Sequence, residues 1–570
     1  MAEITKEMIK AYALKNAIEH KGDANQSAVL SGLFSEGLEK HKIKDTMLKI
    51  NEIIKEINKL SLQERIKEYE KIEHHTKKRQ SREPGMLPPL PEAEQGKVVM
   101  RLAPFPSGPL HIGNARPYIL NDEYVKNYSG KLILVLDDTI SGETKPVEPE
   151  AYKLIPQGFK WLKINYNKKI IYKSDRNNIY YKYAEKLIEK GYMYVCSCNQ
   201  DEVKILREKG IECGCRQLPE KIQLERWKKM FTANPGEFTV RLKTNMQHPN
   251  PAFRDRIMFR ISDREHPRVG KKYRVWPLLE FSWAIDDHLL GITHILRGID
   301  LIMETEVEKF IWDIFRWKYP TIIHTGFFKI EGVKISKSKG AQEVKSGAYI
   351  GWNDPRLWSL QSLKARGIQP EAIREFIINM GITKANSTVS VDVLYALNRK
   401  HLENVSRYFF VPEPVKIKIS GCPEIKAKIP LHPSLNKGFR EYTTSQEFFI
   451  SKQDFDLIEN KKYRLMHLLN FETDQILITK PRLFSFISEL PDKNLEVKYL
   501  QWLPADKENS NKLAKVIIRM PDNSIITGLG DNELLKLKPG TNIQFERFGF
   551  CCLHKLNKSK KIIEFWFAHN

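Results

Sequence analysis

The stretch from Val98 to Leu136 most constrains how this chain can fold. Val98–Leu102 is a short apolar strand, and a loop rich in Pro and Gly follows. His111 to Tyr128 has the character of a helix, and Lys131–Leu136 (KLILVL) is a continuous apolar run of the fully buried kind. Strand, helix and strand in so short a span make a βαβ unit, which implies a parallel sheet. Strand-like and helix-like segments alternate to about residue 330, so an α/β domain is expected over 98–330.

The flanking regions have other textures. Ile43, Met47, Ile50, Ile54 and Ile57 form one apolar stripe at helical spacing, and Ser61 with Glu64 is a capping box that starts a further helix toward Lys78. Residues 1–80 are therefore expected to be a small helical domain. Residues 81–97, with Pro84, Pro88, Pro89 and Pro91, cannot continue a helix and read as a linker. Within 331–410, DPRLWSL, PEAIREFI and VDVLYALNRKHLENV read as separate helices. Over 411–570, short runs such as KVIIRM and IIEFWF are split by PDNS and KPGTN, a spacing that predicts antiparallel β-barrels.

Composition narrows the function. Hydrophobic residues are 41% of the 570, which excludes a largely disordered chain, and no apolar run reaches the ~18 residues of a membrane span. The start, MAEITKEMIK, lacks the apolar core of a secretory signal, and seven cysteines make no disulfide scaffold, so the expected compartment is the reducing cytoplasm. Lys and Arg number 93 against 70 acids, a net charge of +23. Such an excess points to a polyanion, most simply nucleic acid, although a basic proteome alone can produce it.

Neither a P-loop nor a three-glycine dinucleotide fingerprint occurs. Instead, RLAPFPSGPLHIGN (Arg101–Asn114) ends a strand in a loop stiffened by Pro104, Pro106 and Pro109. Gly108 and Gly113 permit close approach of a ligand, and His111 stands where the next helix begins, at an end that favours phosphate. Far downstream, VKISKSK places Lys334, Lys337 and Lys339 among hydroxyl residues on a loop able to close on a triphosphate. Alone, a lysine-rich loop is usually a solvated face and a histidine beside a helix usually structural. Cys196-Ser-Cys198 and Cys213-Gly-Cys215, 14 residues apart, suit a tetrahedral Zn²⁺ site of structural type, with free thiols or a site that has lost its metal as the alternatives.

In this order, HIGN at 111–114 and KISKS at 334–338 resemble HIGH and KMSKS, the two signatures of the class I aminoacyl-tRNA synthetases. IDDHLLGITHILRG (Ile285–Gly298), WNDPRLWSLQSLKARGIQPEAIREFI (Trp352–Ile377) and HPSLNKGFREY (His432–Tyr442) resemble the glutamyl-tRNA synthetases of the archaeal and eukaryotic type. The resemblance covers roughly Lys97 onward. It implies a Rossmann-type catalytic domain with an acceptor-end insertion at about 175–275. A helical stem-contact domain and anticodon-binding barrels would follow.

It also implies ATP with Mg²⁺ as cofactors and glutamate and tRNA-Glu as substrates. Apart from the resemblance, a monomer is expected, and its N-terminal helices could dock a protein partner. Whether tRNA-Gln is charged too stays open. By resemblance, His111 and Lys337 are catalytic, and Pro104, Gly108, His111, Ile112, Gly113, Asn114, Lys334, Ser336 and Lys337 bind ATP. Arg101, Ala103, Asp137 and Arg297 would hold glutamate: Asp137 at the α-ammonium, Arg297 at the γ-carboxylate. Relatives also carry a zinc-bearing motif where the four cysteines stand. Two departures matter. Asn114 replaces the last histidine of HIGH, and Leu279-Glu280-Phe281 stands where many relatives read YDF, leaving Trp283 or Asp137 to compensate for the missing tyrosine. A glutaminyl-tRNA synthetase and a non-catalytic tRNA-binding paralogue are the alternatives. Arg440, Tyr442, Arg464 and Trp502 are basic and aromatic residues of the expected barrels.

Overall fold

The computed structural model describes residues 4–20, 22–39, 42–76, 85–140, 146–333, 337–459, 461–473, 483–491 and 496–570. They fall into two units, Met1–Pro84 and Gly85–Asn570. No helix of the described residues is long and apolar enough to cross a membrane.

The first unit holds α1 (Lys6–Glu19), α2 (Gln26–Ser35), α3 (Ile43–Ile57) and α4 (Leu62–Ile72). Ile9, Leu14, Val29, Leu33, Ile50, Ile53 and Ile57 form its core. The Ser61–Glu64 capping box forms, with the Ser61 N–H donating to Glu64 Oε2 at 2.8 Å. The helix it starts ends at Ile72 and passes into a 3-10 turn, Glu73–His75. Lys78, its expected limit, lies outside the described residues. Buried Arg65 donates to the carbonyls of Gly22, Ile57 and Asn58 and so fastens two loops to α4.

The second unit begins with β1 (Val99–Leu102), α5 (Ile112–Asn127) and β2 (Lys131–Leu136). The strands pair in parallel, Val99 opposite Lys131, as a crossover requires. KLILVL is apolar throughout because both faces are covered. Leu132, Leu134 and Leu136 pack with Ile119, Phe159 and Ile373, whereas Ile133 and Val135 face Phe281, Trp283 and Trp312. After α6 (Ala151–Trp161), β3 (Ile171–Tyr172) extends this sheet in parallel beyond β2.

The chain then runs through α7 (Asn177–Glu189), β4 (Met193–Cys196), α8 (Gln200–Lys209), α9 (Glu220–Met230), β5 (Thr239–Leu242), β6 (Ile257–Ile261) and β7 (Val275–Pro277). These four strands make a separate antiparallel sheet. Next come α10 (Leu279–Leu289), β8 (His294–Gly298), α11 (Ile302–Phe315) and β9 (Thr321–Thr325), with β8 and β9 parallel. The Val98 carbonyl accepts from Lys131 beside β2, while the Val99 carbonyl accepts from Thr293. Alternate carbonyls of β1 therefore serve its two edges, and β8 approaches the one opposite β2.

Beyond β10 (Phe328–Ile330) lie α12 (Lys337–Lys345), α13 (Leu360–Arg366), α14 (Pro370–Met380), β11 (Ser387–Val389) and α15 (Val391–His401). Two sequence readings change here. DPRLWSL is not helical. Asp354 accepts the Ile350 and Arg356 N–H groups in a turn, and the helix starts only after Ser359 caps it. Lys337 and Lys339 lie at the start of a helix rather than on an extended loop.

The C-terminal region is strand-rich, with two seven-stranded sheets, each with its own core. The pairing is not wholly antiparallel. Ile562–His569 returns beside Ala514–Arg519 in parallel after its hairpin with Gly549–Asn557, and Pro414–Ser420 pairs in parallel with Phe484–Ser488. A third strand re-entering beside the first has its direction set by the intervening hairpin, which local alternation does not encode.

Candidate active site and cysteine centre

The loop after β1 is held from both sides. The Asp137 N–H donates to the Pro104 carbonyl at 3.1 Å, and the Glu148 N–H donates to that of Pro106 at 2.8 Å. Gly108 has φ +131°, and a Cβ there would meet the Trp352 ring at 3.3 Å, so only glycine fits without strain. A Cβ on Gly113 would stand 3.0 Å from the His111 imidazole.

His111 is the N-cap of α5. Its Nδ1 accepts the Asn114 N–H at 3.3 Å, and Asn114 Oδ1 accepts the His111 N–H at 3.5 Å. The residue that departs from HIGH thus closes a reciprocal capping box. The turn is also sewn to the start of α13: Ile112 N–H donates to Trp358 O at 3.2 Å and Leu360 N–H to Leu110 O at 2.8 Å. Ile112 is buried in the core below. Lys334 and Ser336 lie outside the described residues, as does the Lys337 side chain.

The expected glutamate residues gather at strand ends. Arg101, near the end of β1, is buried and forks into Asp287 of α10 through Nε and Nη2, the latter at 2.8 Å. Its Cζ lies 3.5 Å from the Trp283 ring centroid. Ala103 packs half-buried against the same core. Asp137, just after β2, is buried and accepts the Trp283 indole N–H at 3.2 Å and the Thr139 hydroxyl at 3.3 Å. Leu279 opens α10, Glu280 pairs with Arg256, and Phe281 enters the core. The hydrogen-bonding side chain of this helix that reaches Asp137 is therefore Trp283.

Arg297 on β8 forks into Glu308 of α11 at 2.9 and 2.6 Å, and its Nη2 also donates to Thr305. Burial opposes the charge on Arg297, but Glu308, with Asp287 behind it, holds the guanidinium above its usual value. Burial pushes the Glu308 carboxyl up against the pull of Arg297. Each arginine thus carries its own acid and retains donors outside the fork. Arg297 Nε is buried without an acceptor, and Arg101 Nη1 is not used in the fork to Asp287.

Four groups here are given no role by the motifs that the sequence displays. Asp286 binds Arg176 and the Tyr180 hydroxyl, Asp287 binds Arg101, Glu308 binds Arg297, and Lys173 lies wholly buried beside Asp137. The two adjacent acids within an otherwise apolar helical stretch were the available signal. A lysine opening a 3-10 turn offered none.

The four cysteines converge at the antiparallel sheet. Sγ–Sγ distances are 3.9 Å for Cys196–Cys213 and 3.7 Å for Cys198–Cys215, and the sulfurs of Cys196, Cys198 and Cys213 all lie within 4.8 Å of one another. Disulfides need about 2 Å, whereas a tetrahedron with Zn–S near 2.3 Å puts its sulfurs about 3.8 Å apart. Cys196, Cys198 and Cys213 have the spacing a zinc ion would take, and Cys215, outside that mutual group, approaches through Cys198. The Cys213 thiol is drawn down to about 5, first by its hydrogen bond with Cys196, whose own thiol is pushed up in exchange. Arg226 Nη1 lies 3.2 Å from Cys215 Sγ. Cys551 and Cys552 are buried strand residues of the C-terminal region, and Cys422 is buried in a loop there.

In the C-terminal region Arg440, on a separate two-stranded ribbon, Arg464, on a strand, and Trp502, between two strands, are all buried. Arg440 pairs with Glu546 at 3.0 Å, Arg464 bonds Asn470 at 3.0 Å, and the Trp502 indole donates to Met466 O at 2.9 Å. Tyr442 packs on Trp502. Their partners lie within the protein.

Residues 97–404 match the model for the catalytic domain of tRNA synthetases class I (E and Q). Residues 405–482 and 491–554 match two models for the anti-codon binding domain of the same family. Among curated relatives, the Glutamate--tRNA ligase of Pyrococcus abyssi is 44% identical over 97% of this chain and 97% of its own length. That of Pyrococcus furiosus is 44% identical over 98% and 99%, and that of Thermococcus kodakarensis 41% over 99% and 100%. A family match over more than half the chain, joined to identity of this level from end to end, leaves one assignment: the chain belongs to the class I tRNA synthetases of the glutamate and glutamine branch.

Proposed function

We propose that this chain joins glutamate to tRNA-Glu at the expense of ATP, through a glutamyl-adenylate. The observation that carries this reading is identity of 41–44% over nearly the full length to proteins named glutamate--tRNA ligase.

In the first step the glutamate α-carboxylate attacks the α-phosphorus of ATP and pyrophosphate leaves. In the second, a hydroxyl of the terminal tRNA adenosine takes the glutamyl group and AMP departs. Neither step needs a covalent enzyme intermediate, so catalysis is positioning plus stabilisation of phosphate charge. ATP is taken as its magnesium complex. The loop Pro104–Asn114 offers backbone without side-chain bulk at Gly108 and Gly113, and the capped start of α5 presents N–H groups. Lys337, with Lys334 and Ser336 of the same segment, supplies charge to the phosphates, and His111, whose Nδ1 is taken by the Asn114 N–H, donates a hydrogen bond from Nε2. Asp137 takes the α-ammonium, with Arg101 and Ala103 alongside, and the unused donor of Arg297 reads the γ-carboxylate. A neutral amide would give that guanidinium no charge partner, which separates glutamate from glutamine. The four cysteines would hold Zn²⁺, which supplies cross-linking of the two cysteine segments and no chemistry. Charge on the C-terminal sheets and the antiparallel insertion acts on tRNA phosphates.

Glutamate-dependent ATP–pyrophosphate exchange with tRNA present tests the reading, run side by side with glutamine. Exchange with glutamine alone would refute it in favour of the glutaminyl reading, and exchange with neither amino acid would favour a non-catalytic tRNA-binding protein. Charging of purified tRNA-Glu and tRNA-Gln then decides the breadth of tRNA use.

A further inference from the structure

Lys173 is the least expected residue of the pocket. It opens the 3-10 turn Lys173–Arg176 after β3, and its side chain is 0% exposed. Burying an ammonium costs several kcal/mol unless it is well paired. Here the pairing is partial. Nζ donates to Ser282 Oγ at 2.7 Å, lies 3.4 Å from Asp137 Oδ1, and sits 3.5 Å from the Trp283 ring centroid.

The charged neighbours divide unevenly. Asp286 is engaged by Arg176 and Tyr180, and Asp287 by Arg101. Asp137 has no such fork: its other partners are the Trp283 indole and the Thr139 hydroxyl, both neutral. Among the described residues Lys173 is the cation within ion-pair distance of Asp137. It also touches Trp283, the residue that donates to the other oxygen of that carboxylate. One buried ammonium therefore fixes the direction of Asp137 from both of its oxygens.

We propose that Lys173 is a positioning residue of the amino-acid pocket, holding Asp137 aimed, directly and through Trp283, for the α-ammonium of glutamate. This rests on the reading of the chain as a glutamate-activating enzyme. The α-ammonium keeps its charge throughout adenylation, so its contact with Asp137 is the same in ground and transition states. Loss of such uniform binding raises KM and leaves kcat unchanged.

The test is glutamate-dependent ATP–pyrophosphate exchange, with tRNA, on full-length wild type, Lys173→Met and Lys173→Arg. Lys173→Met should raise the glutamate KM at least ~10-fold while kcat and the ATP KM stay within about threefold. Lys173→Arg should restore the glutamate KM to within about threefold, since arginine keeps the charge. A pH profile adds a second readout. Burial pulls the Lys173 ammonium below its ordinary value, against Asp137, Asp286 and Asp287 and with Arg101. The substrate's own ammonium causes an alkaline rise in glutamate KM in all three proteins, and wild type should show a further rise beginning at lower pH, which both variants lack. An unchanged glutamate KM in Lys173→Met would overturn the proposal. So would a parallel loss of kcat, ATP KM and melting temperature that Lys173→Arg does not rescue, which would make the residue structural. If wild type itself exchanges with no amino acid, the function reading fails, and that result is distinct from either.

Discussion

Replacing Asp287 by Ala should destabilise the Gly85–Asn570 unit by about 3–5 kcal/mol, because it strands the guanidinium of Arg101. The side chains are 5% and 0% exposed, so water does not reach either to replace the lost partner. The fork uses Nε and Nη2, two charge-assisted hydrogen bonds. The contact with Trp283 survives the substitution and does not neutralise the charge. Asp287→Asn keeps one acceptor and should cost less, about 1.5–3 kcal/mol, the worth of one bond to a charged group. Replacing both partners by apolar residues of similar size, Arg101→Met with Asp287→Leu, removes the stranded charge and should recover most of the loss. Urea titrations of the full chain on wild type, Arg101→Met, Asp287→Leu and the double variant, with the slope checked for constancy, give the four corners of the cycle. A Asp287→Ala midpoint equal to wild type, or a double variant as unstable as the two singles summed, would refute the claim that this pair is a desolvated, mutually dependent unit.

Other consequences are tested more briefly. Lys337→Ala should lower single-turnover adenylation by about 10²–10³ with little change in glutamate affinity, and an unchanged rate would remove Lys337 from its role. Zinc analysis of the purified protein should find about one ion per chain, lost on Cys213→Ser with a lower melting temperature; a metal-free wild type of the same stability would leave the cysteines as plain thiols. Asp531, buried beside Arg440, has its carboxyl pushed up to about 6 by burial. Its folded value exceeds its unfolded one, so its contribution is fully present below about pH 4 and is lost as pH rises through 6. Asp531→Asn should therefore gain on wild type by about 2–3 kcal/mol between pH 4 and 7 in urea titrations, and parallel pH curves would contradict this.

Much of the site was legible because its parts are local. HIGN is a cap, and a cap is four residues long: His111 and Asn114 bond each other whatever the rest does. The paired C-x-C segments announced four thiols, and only their convergence needed the fold. Arg440, Arg464 and Trp502 mark the opposite limit. Alternation in a strand says which residues share a face, yet not which face is inward, so it leaves Arg440 and Arg464 undecided, and Trp502 lies between strands where alternation says nothing; all three are interior.

The sequence by itself determined the βαβ start, the order of helical, α/β and strand-rich regions, and the family. These follow from short-range periodicity, from turn residues and from motifs whose members lie close in the chain. Tertiary structure alone decided which acids answer which bases: Arg101 with Asp287 across 186 residues, Arg297 with Glu308, Lys173 with Asp137. The reason is desolvation. Every exposed lysine and acid in a chain this charged could pair with many others at little gain, but a charge buried by the fold must find a partner there, and burial is a property of packing rather than of spacing.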